Sequence, residues 1–232
     1  FSYFSQQISI PLIKFKSDLI LTLAGTRKIL RNLKFPKKKT GVLNAGVNEE
    51  LIKSAPTNNE TFSCFYLGTI VYTRGAFDLL DVWAEVVKNR KNYQLAVIGG
   101  GDQEIISKFK EKISTLNLSD NIKYFGRIEK DEDVYSIIKS SKVCIIPGHE
   151  NGWSLPATEA MTAGVPVVGY ALDMFGEAFN KGFAVSPLYD HKALAEKICE
   201  VLENKEIWET LHQEALDESS KFSWKNIAED FE

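Results

Sequence analysis

Cysteine, histidine and methionine are scarce in this chain: three, three and two among 232 residues. Cys64, Cys144 and Cys199 lie far apart in apolar or helical stretches, so neither metal-ligand spacing nor a disulfide framework is present, and a reducing compartment is expected. His149, His191 and His212 are too scattered to form a metal cluster, and the last two fall on helices that read as surface. Charge of one sign is also lacking. The net charge of −3 removes any bulk electrostatic case for nucleic acid. No apolar run approaches a membrane span and no secretion-signal pattern is visible, which leads us to expect a cytoplasmic protein. The opening Phe1-Ser-Tyr-Phe has no methionine, from which we expect a processed chain or part of a longer one. Three motifs are missing as well: G-x-G-x-x-G after the first strand of the regular region, a lysine–serine phosphate loop, and G-x-S-x-G. Their absence excludes a dinucleotide fingerprint, a P-loop and a nucleophile elbow, so Ser154 reads as a turn or cap residue.

What is present is ordinary for a globular protein, with 44% apolar and 25% charged residues in a chain long enough for one or two domains. Residues 1 to 16 read as a helix or lid segment broken at Pro11. A small β-α-β fragment follows: strand 18–23, helix 27–33 and strand 40–44. It cannot bury both faces of its sheet, and reads as the trailing piece of a larger α/β domain. Residues 53–60 have linker composition. From there the pattern becomes regular, with strands at 62–67, 93–98, 122–125, 143–146 and 165–169 alternating with helices at 76–87, 103–116, 131–140 and 155–162. Short apolar runs without alternation, separated by helices of this length, predict an α/β fold: a Rossmann-like parallel sheet with flanking helices. A short strand at 183–185, helices at 191–203 and 205–219, and a last helix capped by Ser223 complete the chain, with Trp224 and Ile227 on its buried stripe.

The stretch from His149 to Glu159 organises the rest. It leaves the carboxyl end of a buried strand, where α/β proteins place ligands. Glu150, Asn151, Ser154, Thr158 and Glu159 are therefore expected at a site mouth, with Glu159 one turn into a small apolar helix; the plainer reading makes it a capping glutamate. Three further features end on the same side of the sheet. Gly68 permits close approach of a ligand, and Arg74 stands before a helix N-terminus, an arrangement suited to a diphosphate; the alternative is an arginine on a solvated loop. Gly99-Gly-Gly101 is a tight turn beside which a ligand could lie. Gly126-Arg127 could flank a base, and Trp153 could stack on a base or sugar or simply pack the turn.

These residues, taken in order, resemble a known family. Phe65-Tyr-Leu-Gly-Thr-Ile-x-x-x-Arg-Gly, Leu95-Ala-Val-Ile-Gly-Gly-Gly, Tyr124-Phe-Gly-Arg and Gly152-Trp-Ser-Leu-Pro-Ala-Thr-Glu-Ala-Met-Thr-Ala-Gly-Val-Pro-Val-Val look like the C-terminal, donor-binding domain of retaining GT-B glycosyltransferases of the group 1, or GT4, class. The resemblance implies residues 1–50 as a remnant of the N-terminal domain with its crossover, a linker at 51–60, a nucleotide-sugar-binding domain at 61–221 and a C-terminal helix at 222–232. It implies that Glu159 holds the ribose hydroxyls and Arg74 the donor diphosphate. Gly126 and Arg127 would hold the base, while Gly68, Thr69, Gly99, Asn151, Gly152, Trp153, Ser154 and Leu155 complete the donor site. The catalytic set it implies is Arg74 with Glu150 and Asn151.

Two departures stand out. Asn151 occupies the place of the family's first motif glutamate, with Glu150 one position early, and Thr69 replaces the usual arginine after the first strand. The implied reaction transfers a hexose from a UDP- or GDP-sugar to an acceptor hydroxyl with retention, without a metal or cofactor. The acceptor, a glycan or lipid-linked sugar, would bind through the largely absent N-terminal domain. The alternatives are a non-catalytic glycosyltransferase-like subunit that supports an active partner, and a GT-B phosphorylase or synthase. The cluster Arg27, Lys28, Arg31, Lys34 and Lys37-Lys38-Lys39 raises peripheral contact with the inner face of a membrane, against the plainer reading of a solvated basic face.

Overall fold

The computed structural model describes residues 3–149 and 153–229, without the side chains of residues 3–8 and 24. In chain order the elements are α1 (Tyr3–Lys16), β1 (Ile20–Thr22), α2 (Arg27–Asn32), β2 (Thr40–Val42), α3 (Glu49–Ser54), β3 (Phe62–Leu67), α4 (Ala76–Val87), β4 (Leu95–Ile98), α5 (Gln103–Thr115), β5 (Ile122–Gly126), α6 (Asp131–Lys139), β6 (Ser141–Ile146), α7 (Leu155–Thr162), β7 (Val167–Tyr170), α8 (Met174–Glu177), β8 (Phe183–Ser186), α9 (His191–Glu203), α10 (Lys205–Ser219) and α11 (Trp224–Glu229). No helix among the described residues is long and apolar enough to cross a membrane.

β3 to β8 form one parallel sheet in the order β5-β4-β3-β6-β7-β8. Successive side chains of a strand point to opposite faces. Cys64, Tyr66, Leu95, Val97, Val143, Ile145, Val168 and Tyr170 accordingly pack on one face against α4, α5 and α9. Phe65, Ala96, Ile98, Cys144, Ile146 and Val167 pack on the other, against α3, α6 and α7. Both faces are dry, which explains why these strands read as continuous apolar runs. The chain reverses direction across the sheet between β3 and β6, its first and fourth strands, and this is the topological switch point where such sheets open a crevice at their carboxyl edge.

β1 and β2 make a separate two-stranded parallel sheet, as the small fragment predicts. Leu19, Leu21, Leu23, Val42 and Leu43 on it are exposed. Lys28 pairs with Asp173 at 3.0 Å and Arg31 with Glu177 at 3.0 Å, tying α2 to α8. Farther along, Val47 donates to the Phe222 carbonyl at 2.9 Å, so the segment leading into α3 is fastened to the C-terminal turn.

Three expectations change. Pro11 lies within α1 and does not break it. α3 runs into the stretch whose composition reads as linker; its N-cap Asn48 accepts from the Leu51 amide, and its Ile52 is fully buried. Trp224 is 59% exposed, with its ring against Gly46, so it does not lie on a buried stripe. The helix there is short, and core contact at this end is made by Phe222 instead.

Candidate functional site

The carboxyl ends of β3 and β6 border a cleft of about 380 Å³ lined by Leu67, Gly68, Thr69, Arg74, Pro147, Gly148, Trp153, Ser154 and Leu155, closed on one side by Leu23 and Ala45. A second cavity of about 650 Å³ adjoins it, sharing Leu23, Arg74 and Trp153 and extending to Thr73, His149 and Asp173. The Arg74 turn and the start of α7 therefore form facing walls at the switch point, and the β1–α2 region closes a third side. Arg74 is exposed and lines both.

Glycines bring the loops of this edge together. Gly68 donates to the Ile98 carbonyl at 3.0 Å and Gly99 to the Gly126 carbonyl at 2.8 Å. At Gly99 a Cβ would sit 1.8 Å from the Gly68 carbonyl oxygen, so no side chain is possible there. Gly75, at φ +70°, is equally constrained, because its Cβ would meet the Pro147 carbonyl oxygen at 1.8 Å. The turn carrying Arg74 thus packs backbone to backbone on the loop leaving β6. The amides of Gly75 and Ala76 are already taken by the carbonyls of Tyr72 and Val71. What this turn brings to the cleft is the cationic side chain of Arg74. Burial pushes the Tyr66 phenol well up, and the charge of Arg74 pulls it back.

On the other wall, Ser154 caps α7 by accepting from the Ala157 amide at 3.3 Å. Pro156 has no N–H, and Leu155, a residue that lines the cleft and is 45% exposed, carries the first amide of this helix. Trp153 is buried, stacked on Phe179 at 5.2 Å and edge-on to Phe222 at 5.4 Å. It packs the turn in this way and also lines both cavities. Thr158 is fully buried and donates to the Ser154 carbonyl at 3.0 Å; it does not stand at the mouth.

Glu159 points toward α6, where Tyr135 donates to it at 3.3 Å, and is not part of the cleft lining. Burial raises its pKa to about 7; the Tyr135 hydrogen bond opposes that shift and Asp131 adds to it. Arg127 is 76% exposed at its side chain and paired with Glu129 at 3.0 Å, and the stem of that side chain lies against Gly100. Glu150, Asn151 and Gly152 lie outside the described residues. Among those described, no group of three or more His, Cys, Asp or Glu could hold a metal ion.

One feature escaped the sequence. His149 and His191 both place Nε2 on Oδ2 of Asp78, at 2.9 Å and 3.1 Å. The helix carrying His191 packs on α4, so that residue is not simply surface. Separations of 71 and 113 residues leave no local pattern from which this could be read.

The profile of the glycosyl transferases group 1 family matches residues 47–218. The chain belongs to that family. It is 27% identical over 191 residues to an uncharacterized glycosyltransferase of Methanocaldococcus jannaschii, covering 82% of this chain and 51% of that protein. It is also 27% identical over 195 residues to the phosphatidyl-myo-inositol mannosyltransferase of Mycobacterium leprae, covering 79% and 50%. The chain thus spans about half the length of the curated relatives it matches. In fold it is similar to Anabaena HepE in complex with UDP, with a TM-score of 0.86 at 16% identity over 100% of this chain and 67% of that one. The sucrose-phosphate synthase of Thermosynechococcus elongatus gives 0.79 at 20% identity over 99% and 62%. Both likenesses establish the α/β architecture with parallel sheets typical of GT-B transferases.

Proposed function

We propose that this chain is the donor-binding part of a retaining glycosyltransferase, which transfers a hexose from a nucleotide diphosphate sugar to an acceptor hydroxyl. Residues 61–221 form the donor domain, 1–50 a trailing piece of the N-terminal domain with its crossover, 51–60 the connection and 222–232 the closing helix. The observation that carries this reading is the switch-point cleft, with Arg74 on one wall and the start of α7 on the other. A diphosphate leaving group develops concentrated negative charge, and a guanidinium and a helix terminus aimed at it from two sides stabilise that charge. Arg74 binds the diphosphate, and Thr69 offers a hydroxyl where relatives carry a second cation. The backbone of Gly126–Arg127 borders the base, Glu159 accepts from the ribose hydroxyls, and Asn151 or Glu150 serves the reacting centre. The acceptor site is completed by the partner domain, and the exposed Arg27, Lys34, Lys37 and Lys38 suit a membrane-borne acceptor. UDP is the first nucleotide to try, because HepE was crystallised with it.

A larger cleft of about 850 Å³ at the opposite edge of the sheet, lined by Thr61, Gln94, Ser141 and Lys142 among others, makes the reading easy to test. UDP and GDP are titrated into the chain while backbone amide NMR shifts are followed. Shifts at Gly68, Gly99, Gly126 and Leu155 are expected, with Thr61, Gln94 and Ser141 unmoved. Shifts confined to the latter three residues would refute the donor cleft.

A further inference from the structure

Asp78 lies in the first turn of α4, four residues after Arg74, and is 18% exposed at its side chain. Its Oδ2 receives the rings of His149, from the loop leaving β6, and His191, from the first turn of α9. The His149 amide donates to the Thr73 carbonyl at 3.2 Å, one residue before Arg74. A few residues away Gly75 allows the closest approach of the same two loops. The exposed Tyr189 sets its ring edge-on against His149 at 4.7 Å, and its backbone is held at φ +63°, uncommon for a bulky residue. Asp190, next in the chain, caps α9 by accepting from the Ala193 amide at 2.9 Å, which fixes where His191 emerges. Three elements that are distant in sequence thus converge on one carboxylate oxygen at the rim of the cleft.

We infer that Asp78 is a positioning residue: with His191 as its second anchor, it clasps the His149 turn against the Thr73–Gly75 turn. This fixes Arg74 relative to the strand end Pro147–His149. Neither histidine needs to touch a ligand. Two imidazoles on a single acceptor restrict both the ring of His149 and the backbone that follows Gly148, so the two walls of the cleft keep one spacing. That consequence for nucleotide binding rests on the donor-cleft reading; the clasp itself does not.

The test reads both parts separately, on the full chain. Hydrogen exchange of the His149 amide is measured in the wild type, Asp78→Ala, Asp78→Asn and His191→Ala, with the Leu79 amide as an internal reference for α4. UDP and GDP affinities are measured on the same samples. Asp78→Ala is expected to speed His149 exchange by about tenfold or more while Leu79 is unchanged, and to weaken nucleotide binding by a similar factor. Asp78→Asn, which keeps one acceptor oxygen, should recover part of both effects. His191→Ala, at the more exposed anchor, should give a smaller change in the same direction, and it decides the matter if Asp78→Ala does not fold. Unchanged His149 exchange would overturn the clasp. Faster exchange with unaltered affinity would overturn its role in positioning. Faster exchange in a protein that binds neither nucleotide would support the clasp while sinking the donor-cleft reading.

Discussion

Glu159 carries the clearest pH signature at the scale of single residues. Its folded-state pKa, about 7, lies above the ordinary carboxylate value because burial disfavours the charge. Between the two values the folded protein binds more protons than the unfolded chain, so this group makes stability fall as pH rises from about 4.5 to 7. Glu159→Gln removes the cost of the charge. Denaturant melts should show the variant more stable than wild type by up to about 3 kcal/mol at pH 8, with little difference at pH 4. If ribose hydroxyls donate to this carboxylate, nucleotide affinity should also rise a few-fold, on the order of a charge-assisted hydrogen bond, between pH 6 and 8 and stay flat in Glu159→Gln. Gly75 is the other informative residue. Gly75→Ala adds a Cβ at positive φ into the Pro147 carbonyl, and a loss of about 3 kcal/mol or more is expected in the same melts.

At the scale of elements, Trp153 links the start of α7 to the C-terminal turn through Phe179 and Phe222. Trp153→Ala should cost about 3–5 kcal/mol, read as a lowered denaturation midpoint, because a large buried ring leaves a cavity that its neighbours only partly fill. Asn204 closes α9 and opens α10, accepting from the amides of Glu206 at 3.0 Å and Ile207 at 3.2 Å. Asn204→Ala should lose about 1 kcal/mol. Elements of this kind were largely legible in the sequence. β3, α4, α7, α9 and α10 fall within the residues that periodicity and capping mark, and Asp102 caps α5, accepting from the Glu104 amide at 2.9 Å. What misled was local composition where tertiary contacts decide. Serine, proline and asparagine near 53–60 read as linker, yet Ile52 draws the preceding turn into the core as α3. Trp224 reads as a buried anchor, yet Phe222 occupies that place.

For the whole molecule, the strand order puts the switch point between β3 and β6, and the loops there are the ones that glycine placement and the polar cluster after β6 mark in the sequence. Arg74, Gly68, Thr69, Ser154 and Leu155 meet at one cleft. Two parts were not legible. The packing of Glu159 against Tyr135 depends on how α6 lies on α7, which no spacing along the chain encodes. The Asp78–His149–His191 contact joins three segments that only the folded sheet brings together. The central proposal is that this cleft binds a nucleotide diphosphate through Arg74, and that the ribose reaches Glu159 on α7, outside the cleft lining. Calorimetric titration of UDP and GDP into the wild type, Arg74→Ala and Glu159→Ala tests it most directly. The account predicts saturable binding of one nucleotide, weakened by about tenfold or more in each variant, with the Arg74→Ala loss growing smaller at high salt as the charge interaction is screened. Binding that neither substitution alters would contradict it.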